Sequence, residues 1–226
     1  MIPIRALIYN QTFPLITLLL IIANSLVFLY ELVLPPYAEA AFVHHYALIP
    51  DRLALTSFVT SMFLHAGWLH IIGNMWFLWV FGSHIETALG SAKYLIFYLL
   101  SGLAAAIAQF VINLGSPIPT VGASGAIAGV MGAFFLLYPR SRIDTLIFIV
   151  IFVTRIQVPA AFMLLYWFAL QLLGGLTSFG QLFQEGGVAH GGVAYFAHVG
   201  GFLAGIAMVG WFRKTGHTRH MNYYYR

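Results

Sequence analysis

Long apolar stretches recur along the chain, separated by short segments where charge, glycine or proline collects. A helix that crosses the hydrocarbon core of a bilayer needs about 20 mostly apolar residues. Six stretches meet or approach that length: residues 14–34, 68–88, 92–113, 123–138, 160–179 and 194–211. The fourth is short, which suits a helix that begins below the membrane surface. A further apolar piece, residues 146–153, lies between Asp144 and Arg155. It is too short to cross, and its length predicts an interfacial or re-entrant segment. The first apolar run, residues 13–34, lacks a small-residue cleavage site and reads as a retained span, not a removed signal.

Composition agrees with this pattern. Of 226 residues, 61% are hydrophobic and 7% charged, against about 25% charged in an ordinary soluble domain. Such a chain cannot cover itself with polar groups, so its solvent is lipid. The net charge of +4 forms no basic stripe, which argues against nucleic acid. It follows topology instead. Six spans put Arg5, Lys93, Arg140, Arg142, Arg155, Arg213, Lys214, Arg219 and Arg226 on one side. Arg52 lies opposite, with Glu31, Glu39, Asp51 and Glu185. The positive-inside rule makes the first side, with both termini, cytoplasmic. Cysteine is absent, which removes disulfides and a thiolate nucleophile.

Two non-cytoplasmic loops are distinctive. Residues 35–67 are long and amphipathic, with His44, His45 and Tyr46 suited to an interface, as is the adjoining Trp68. Residues 180–193 hold Gly180, Gly186, Gly187, Gly191 and Gly192, a composition suited to a gate. No attached soluble domain and no internal repeat of the inverted-repeat kind is expected.

Polar residues inside spans are costly, so function is sought there first. Span two opens with His70 and Asn74, four residues apart and on one helical face. Span four opens with Gly122-Ala123-Ser124-Gly125, and span six with Ala197-His198-Val199-Gly200-Gly201. All three clusters fall near the non-cytoplasmic ends of their helices. Gly125 with Gly129, and Gly201 with Gly205, form small-residue ridges that let backbones approach closely in lipid. Facing ridges would bring Ser124 to His198, and an imidazole beside a hydroxyl makes it a nucleophile. His70 and Asn74 would then be donors to an oxyanion, with the backbone N–H groups of Ala123 and Ser124 as further donors. Taken singly, each motif also fits a packing contact, a proton path or a structural hydrogen bond. Their placement at one depth points to catalysis.

The other polar groups receive structural readings. His65, just outside span two, orients local backbone, and His84, His190, His217 and His220 are structural or solvated. Glu86, between Gly82 and Gly90 at four-residue spacing, is a buried hydrogen-bond anchor. It lies most of a membrane's depth from Ser124. No His-Glu-x-x-His run or carboxylate at ligand spacing suggests a metal.

These residues resemble the rhomboid intramembrane serine proteases. The matching pieces are His70-Ile-Ile-Gly-Asn74, Gly82-xxx-Glu86-xxx-Gly90, Gly122-Ala-Ser124-Gly125-xxx-Gly129 and Ala197-His198-Val-Gly-Gly201-xxx-Gly205. Pro139-Arg140 at the exit of span four and Pro159-Ala160 at the entry to span five also look similar to bacterial members. The resemblance covers residues 3 to about 213. It implies an all-α, six-transmembrane-helix bundle forming one domain over residues 1–226, with about 214–226 as a cytoplasmic tail. It implies a Ser-His dyad in which Ser124 is the nucleophile and His198 the general base, then acid, with His70 and Asn74 as oxyanion donors. No cofactor or metal is implied. The implied partners are transmembrane protein substrates in the lipid bilayer of a prokaryotic plasma membrane, with the oligomeric state left open. The loop before span six would cap a cavity open to the non-cytoplasmic side.

One departure concerns the base. Many relatives carry a tyrosine four residues after the serine, stacked on the catalytic histidine, where this chain has Ala128. Tyr195 is a candidate replacement. The first-loop Trp-Arg pair of some members also has no match here. Rival chemistries fail by inventory: Lys93 and Lys214 are both cytoplasmic, and Asp51 and Asp144 both lie outside the spans. Other classes are a transporter or proton channel using the histidines, and a client-binding pseudoprotease. The cytoplasmic halves of spans four and six are dry, against the first. Ser124 and His198 are both present, against the second.

Overall fold

A computed structural model of the protein describes residues 1–8, 12–149, 152–181 and 192–213. The molecule is a helix bundle with a small sheet at one end. Its four longest apolar helices are α1 (Leu15–Val33), α6 (Ser91–Ile112), α8 (Ala160–Gln181) and α9 (Tyr195–Phe212). Each is long and apolar enough to cross a membrane. The second apolar stretch is one helical run built from α4 (Trp68–Phe77), a π turn over Leu78–Gly82, and α5 (Ser83–Leu89). The remaining member, α7 (Ser124–Leu137), has 14 residues. At 1.5 Å rise per residue it is about 21 Å long, against a hydrocarbon core of about 30 Å. A helix that short, ending at one membrane face, starts about 9 Å inside the other.

Centrality follows from composition. In α7, Gly125 to Phe134 is buried throughout, whereas leucines and valines of α1 and α8 face outward. Lipid is as apolar as leucine, so burial here is decided by close packing of small residues, not by hydrophobicity. A Cβ at Gly201 or Gly205 of α9 would collide with the carbonyl oxygen of Gly125 or Gly129 of α7. The two glycine ridges therefore lie backbone to backbone. Ala105 and Ser101 of α6 fill the other side of Gly125 and Gly129.

Away from Ser124, Glu86 ties α5 to the start of α1. Its carboxylate accepts from the backbone N–H groups of Ile16 and Thr17, at 2.9 and 2.8 Å, and from the Thr17 and Ser91 hydroxyls. A helix start leaves N–H groups unpaired and carries positive potential, so a carboxylate from a neighbouring helix serves as its cap. Pro14, at the cap position, offers no side-chain bond.

Residues 146–149 and 152–153 of the short apolar piece are β-strand. They belong to two antiparallel strands, β2 (Arg142–Ile149) and β3 (Phe152–Pro159), paired from Arg142 with Pro159 to Ile149 with Phe152. A further strand, β1 (Ile2–Ala6), joins β2 antiparallel, completing a three-stranded sheet. Ile143, Thr145 and Ile147 alternate along β2, and Thr154, Ile156 and Val158 along β3. Such β-branched alternation favours strand over helix. Asp144 is buried in the sheet and accepts hydrogen bonds from Arg155 and, at 3.0 Å, from Arg5. The Arg155 bond leads, with Arg5 adding, in holding the Asp144 carboxyl below the usual carboxylate range.

The long loop after α1 is largely helical: α2 (Pro36–Tyr46), then α3 (Ser57–Thr60) running into a 3₁₀ turn at Ser61–Phe63. No residue of α2 is buried. Of residues 180–193, the expected gate, 182–191 fall outside the described residues, as do His190, His217, His220 and the 214–226 tail.

Candidate active site

Ser124 is delivered by a constrained loop. Leu48 and Thr120 exchange two backbone hydrogen bonds, at 3.0 and 2.8 Å, and the Gly122 N–H donates to the Ser61 carbonyl at 2.8 Å. Gly122 has φ +121°, a conformation L side chains rarely adopt. A Cβ there would also sit 2.7 Å from the His70 ring. Glycine is thus required twice, by backbone conformation and by space. Two residues later Ser124 opens α7, and the first-turn N–H groups of a helix have no intrahelical partner.

His198 lies in the first turn of α9. That turn is anchored from α6, where the Gln109 side-chain oxygen accepts the Ala197 N–H at 3.2 Å. Across the α7–α9 contact, His198 Nε2 and Ser124 Oγ are 2.8 Å apart. The other imidazole nitrogen, Nδ1, is 2.8 Å from Gln171 Oε1 on α8. Trp167, one turn before Gln171, places its ring 5.7 Å from the His198 ring, centroid to centroid, tilted by 39°. Trp167 is therefore an aromatic neighbour of His198. Tyr195 instead packs against Gly174 of α8, and Ala128 is fully buried.

Asn74 and His70 close the site from α4. Asn74 is buried, and its Nδ2 has no hydrogen-bond partner among the described residues. The Ala66 N–H donates to His70 Nδ1 at 3.4 Å. That assigns the His70 proton to Nε2, making it a donor. Both groups border Gly122, two residues from the serine. His70, Asn74, Ser124, Trp167 and His198 line one cavity of about 940 Å³, rimmed by Pro50, Ser116, Pro119 and Val193.

Gln171, Trp167 and Gln109 escape the motif reading. The signal that could have found the glutamines is the one that found Ser124: a polar side chain inside an apolar span. His65 lies beside the site, its ring 5.1 Å from that of His70. Its Nδ1–H donates to the Phe63 carbonyl at 3.3 Å, and its backbone N–H to Glu31 at 3.2 Å. Burial, with His70 nearby, pushes the His65 imidazole down to about 4. His84, buried between Phe134 and Tyr138, is far along the bundle. Among the described residues, no group of three His, Cys, Asp or Glu side chains is arranged to hold a metal.

A polytopic helical membrane protein with a serine, an imidazole and unpaired donors around one cavity is the class this geometry defines. The Rhomboid domain model matches residues 52–215, and the chain belongs to the rhomboid family. It is similar to the rhomboid protease GluP of Bacillus subtilis, 44% identical over 80 residues, 35% of this chain and 15% of that protein. Over 69% of its length it is 29% identical to the mitochondrial rhomboid protein 1 of Saccharomyces cerevisiae, covering 41% of it. Over 88% it is 28% identical to the human presenilin-associated rhomboid-like protein, covering 47% of that chain. The chain thus spans less than half the length of each of these relatives. Membership supports a protein of the intramembrane-protease kind, embedded in a lipid bilayer.

Proposed function

We propose that this chain is an intramembrane serine endopeptidase that hydrolyses peptide bonds in or near the transmembrane segments of other proteins. The observation that carries the reading is the 2.8 Å hydrogen bond between Ser124 Oγ and His198 Nε2. With Nδ1–H donating to Gln171, Nε2 keeps the lone pair needed to take the serine proton. Ser124 Oγ attacks the scissile carbonyl carbon as its proton passes to His198. The tetrahedral oxyanion is met by Nε2–H of His70, Nδ2–H of Asn74 and the backbone N–H groups of Ala123 and Ser124. His198 returns its proton to the leaving amine, and water then hydrolyses the acyl-enzyme with His198 again as base. A serine at the start of so short a helix, reached through a cavity, favours substrates whose helices unwind easily, those with small or helix-breaking residues at the cut.

The positive residues support a prokaryotic plasma membrane orientation with both termini cytoplasmic and the cavity on the opposite side. Arg5, Arg140, Arg142 and Arg155 gather at the sheet end, beyond the C-terminus of α7. A serine-directed fluorophosphonate tests the chemistry. The intact protein should be labelled at Ser124, while Ser124→Ala and His198→Ala variants should not. Equal labelling of the His198→Ala variant would overturn the assignment of the base, and no labelling of the intact protein would favour a transporter or client-binding role.

A further inference from the structure

We infer that Gln171 is a positioning residue that fixes the tautomer of His198, taking the place that a carboxylate holds in a three-residue serine protease site. This deepens the proposed Ser124–His198 chemistry and rests on it. A neutral imidazole carries one proton, and only the nitrogen without it can act as base. Gln171 is buried on α8, and its two amide atoms face different partners. Oε1 lies 2.8 Å from His198 Nδ1, and Nε2 donates to the Trp167 carbonyl at 3.4 Å. That carbonyl can only accept, so it holds the NH₂ end of the amide and leaves the oxygen facing the ring. The oxygen in turn can only accept, so the His198 proton sits on Nδ1 and the lone pair faces Ser124. Were the amide reversed, its NH₂ would donate to Nδ1. The ring proton would then move to Nε2, and His198 would donate to the serine instead of activating it.

The position supports a dedicated role. A buried amide in an apolar span is costly unless its atoms are paired, and here both ends are. Trp167, on the same face of α8, lies against the His198 ring, so one helix supplies both a wall and an acceptor. A neutral acceptor has a further consequence. As Ser124 loses its proton His198 becomes an imidazolium, and an amide oxygen stabilises that cation less than a carboxylate would. Among the described residues, the groups facing His198 are Ser124 of α7, Gln171 and Trp167 of α8, and His70 and Asn74 of α4 across the cavity, with Gln109 of α6 at its own turn. None of these described groups is an acid, so replacing Gln171 by glutamate would introduce a carboxylate beside His198.

The experiment compares intact protein with Gln171→Leu and Gln171→Glu variants by fluorophosphonate labelling rate from acid to alkaline pH, alongside thermal unfolding. Leucine fills the space and suits lipid, so a purely structural glutamine would tolerate it. Leaving the buried Nδ1–H unpaired lowers the unfolding temperature somewhat and frees the ring proton to move to Nε2, which predicts about a ten- to hundred-fold slower labelling in a protein that still folds. Glutamate keeps the acceptor and favours the imidazolium, so it should restore rate over leucine and move the acid limb of the profile to higher pH. A Gln171→Leu variant labelled at the intact rate across the range would overturn the inference. If that variant does not fold, the Gln171→Glu profile decides, and an unmoved acid limb would overturn it. Labelling that survives in Ser124→Ala or His198→Ala would count instead against the dyad itself.

Discussion

Asn74 presents a buried NH₂ group with no described partner, beside the loop that carries Ser124. An unpaired buried donor is a standing cost of about 1–3 kcal/mol, which becomes useful when a negative oxygen forms within reach. Loss of one oxyanion donor typically lowers turnover about 10²–10³-fold, and Asn74→Ala should do so with little change in KM. Turnover near that of the intact protein would remove Asn74 from the oxyanion site. Gly122→Ala should be as damaging for a different reason, since φ +121° and the His70 ring both exclude a Cβ. The expected readout is lost labelling of Ser124 in a protein that still folds. His65 gives a pH effect of determinable sign. Its ordinary value is 6.5 and its folded value about 4, so below pH 6.5 the unfolded chain takes up a proton that the folded one refuses. Stability present above that pH should therefore fall between about 6.5 and 4 and flatten below. Thermal unfolding of a His65→Gln variant should show a shallower decline across that window.

At the scale of elements, the glycine faces of α7 and α9 decide whether Ser124 and His198 meet. Gly205→Leu should push the helices apart, abolish labelling and lower the unfolding temperature together. A Glu86→Ala variant removes the shared acceptor of the α1 start, and should cost about 3 kcal/mol while leaving the geometry of Ser124 intact. These two contacts were legible because glycine at four-residue spacing and a lone acid in a span are conspicuous against an apolar background. Ser124, His70, Asn74 and His198 stood out for the same reason. Span five did not give up Gln171, because one amide in 20 apolar residues carries no motif and its partner is 27 positions away. Tyr195, a candidate for the ring beside His198 because it lies one turn away on the same helix, packs against Gly174 instead. A ring that does lie beside His198 is that of Trp167 on the neighbouring helix, a pairing that no spacing within α9 encodes. The sheet escaped because an apolar run in a membrane chain invites a lipid reading, whereas pairing with residues 2–6 is non-local.

Over the whole molecule, the site lies at one end of the bundle and the arginine-rich sheet at the other. The absence of cysteine makes this orientation easy to probe. A single cysteine at Arg140→Cys should react with a membrane-impermeant maleimide only from the cytoplasmic side, and one at Leu53→Cys only from the opposite side. The reverse pattern would invert the proposed topology. In the proposed reaction Ser124, activated by His198, cuts a peptide bond within the membrane. Its most direct measurement is cleavage of a transmembrane reporter by purified protein in proteoliposomes, comparing the intact chain with Ser124→Ala and His198→Ala variants of equal thermal stability. A defined product pair is expected from the intact protein and none from either variant. The same product pair from the Ser124→Ala variant would contradict that reaction.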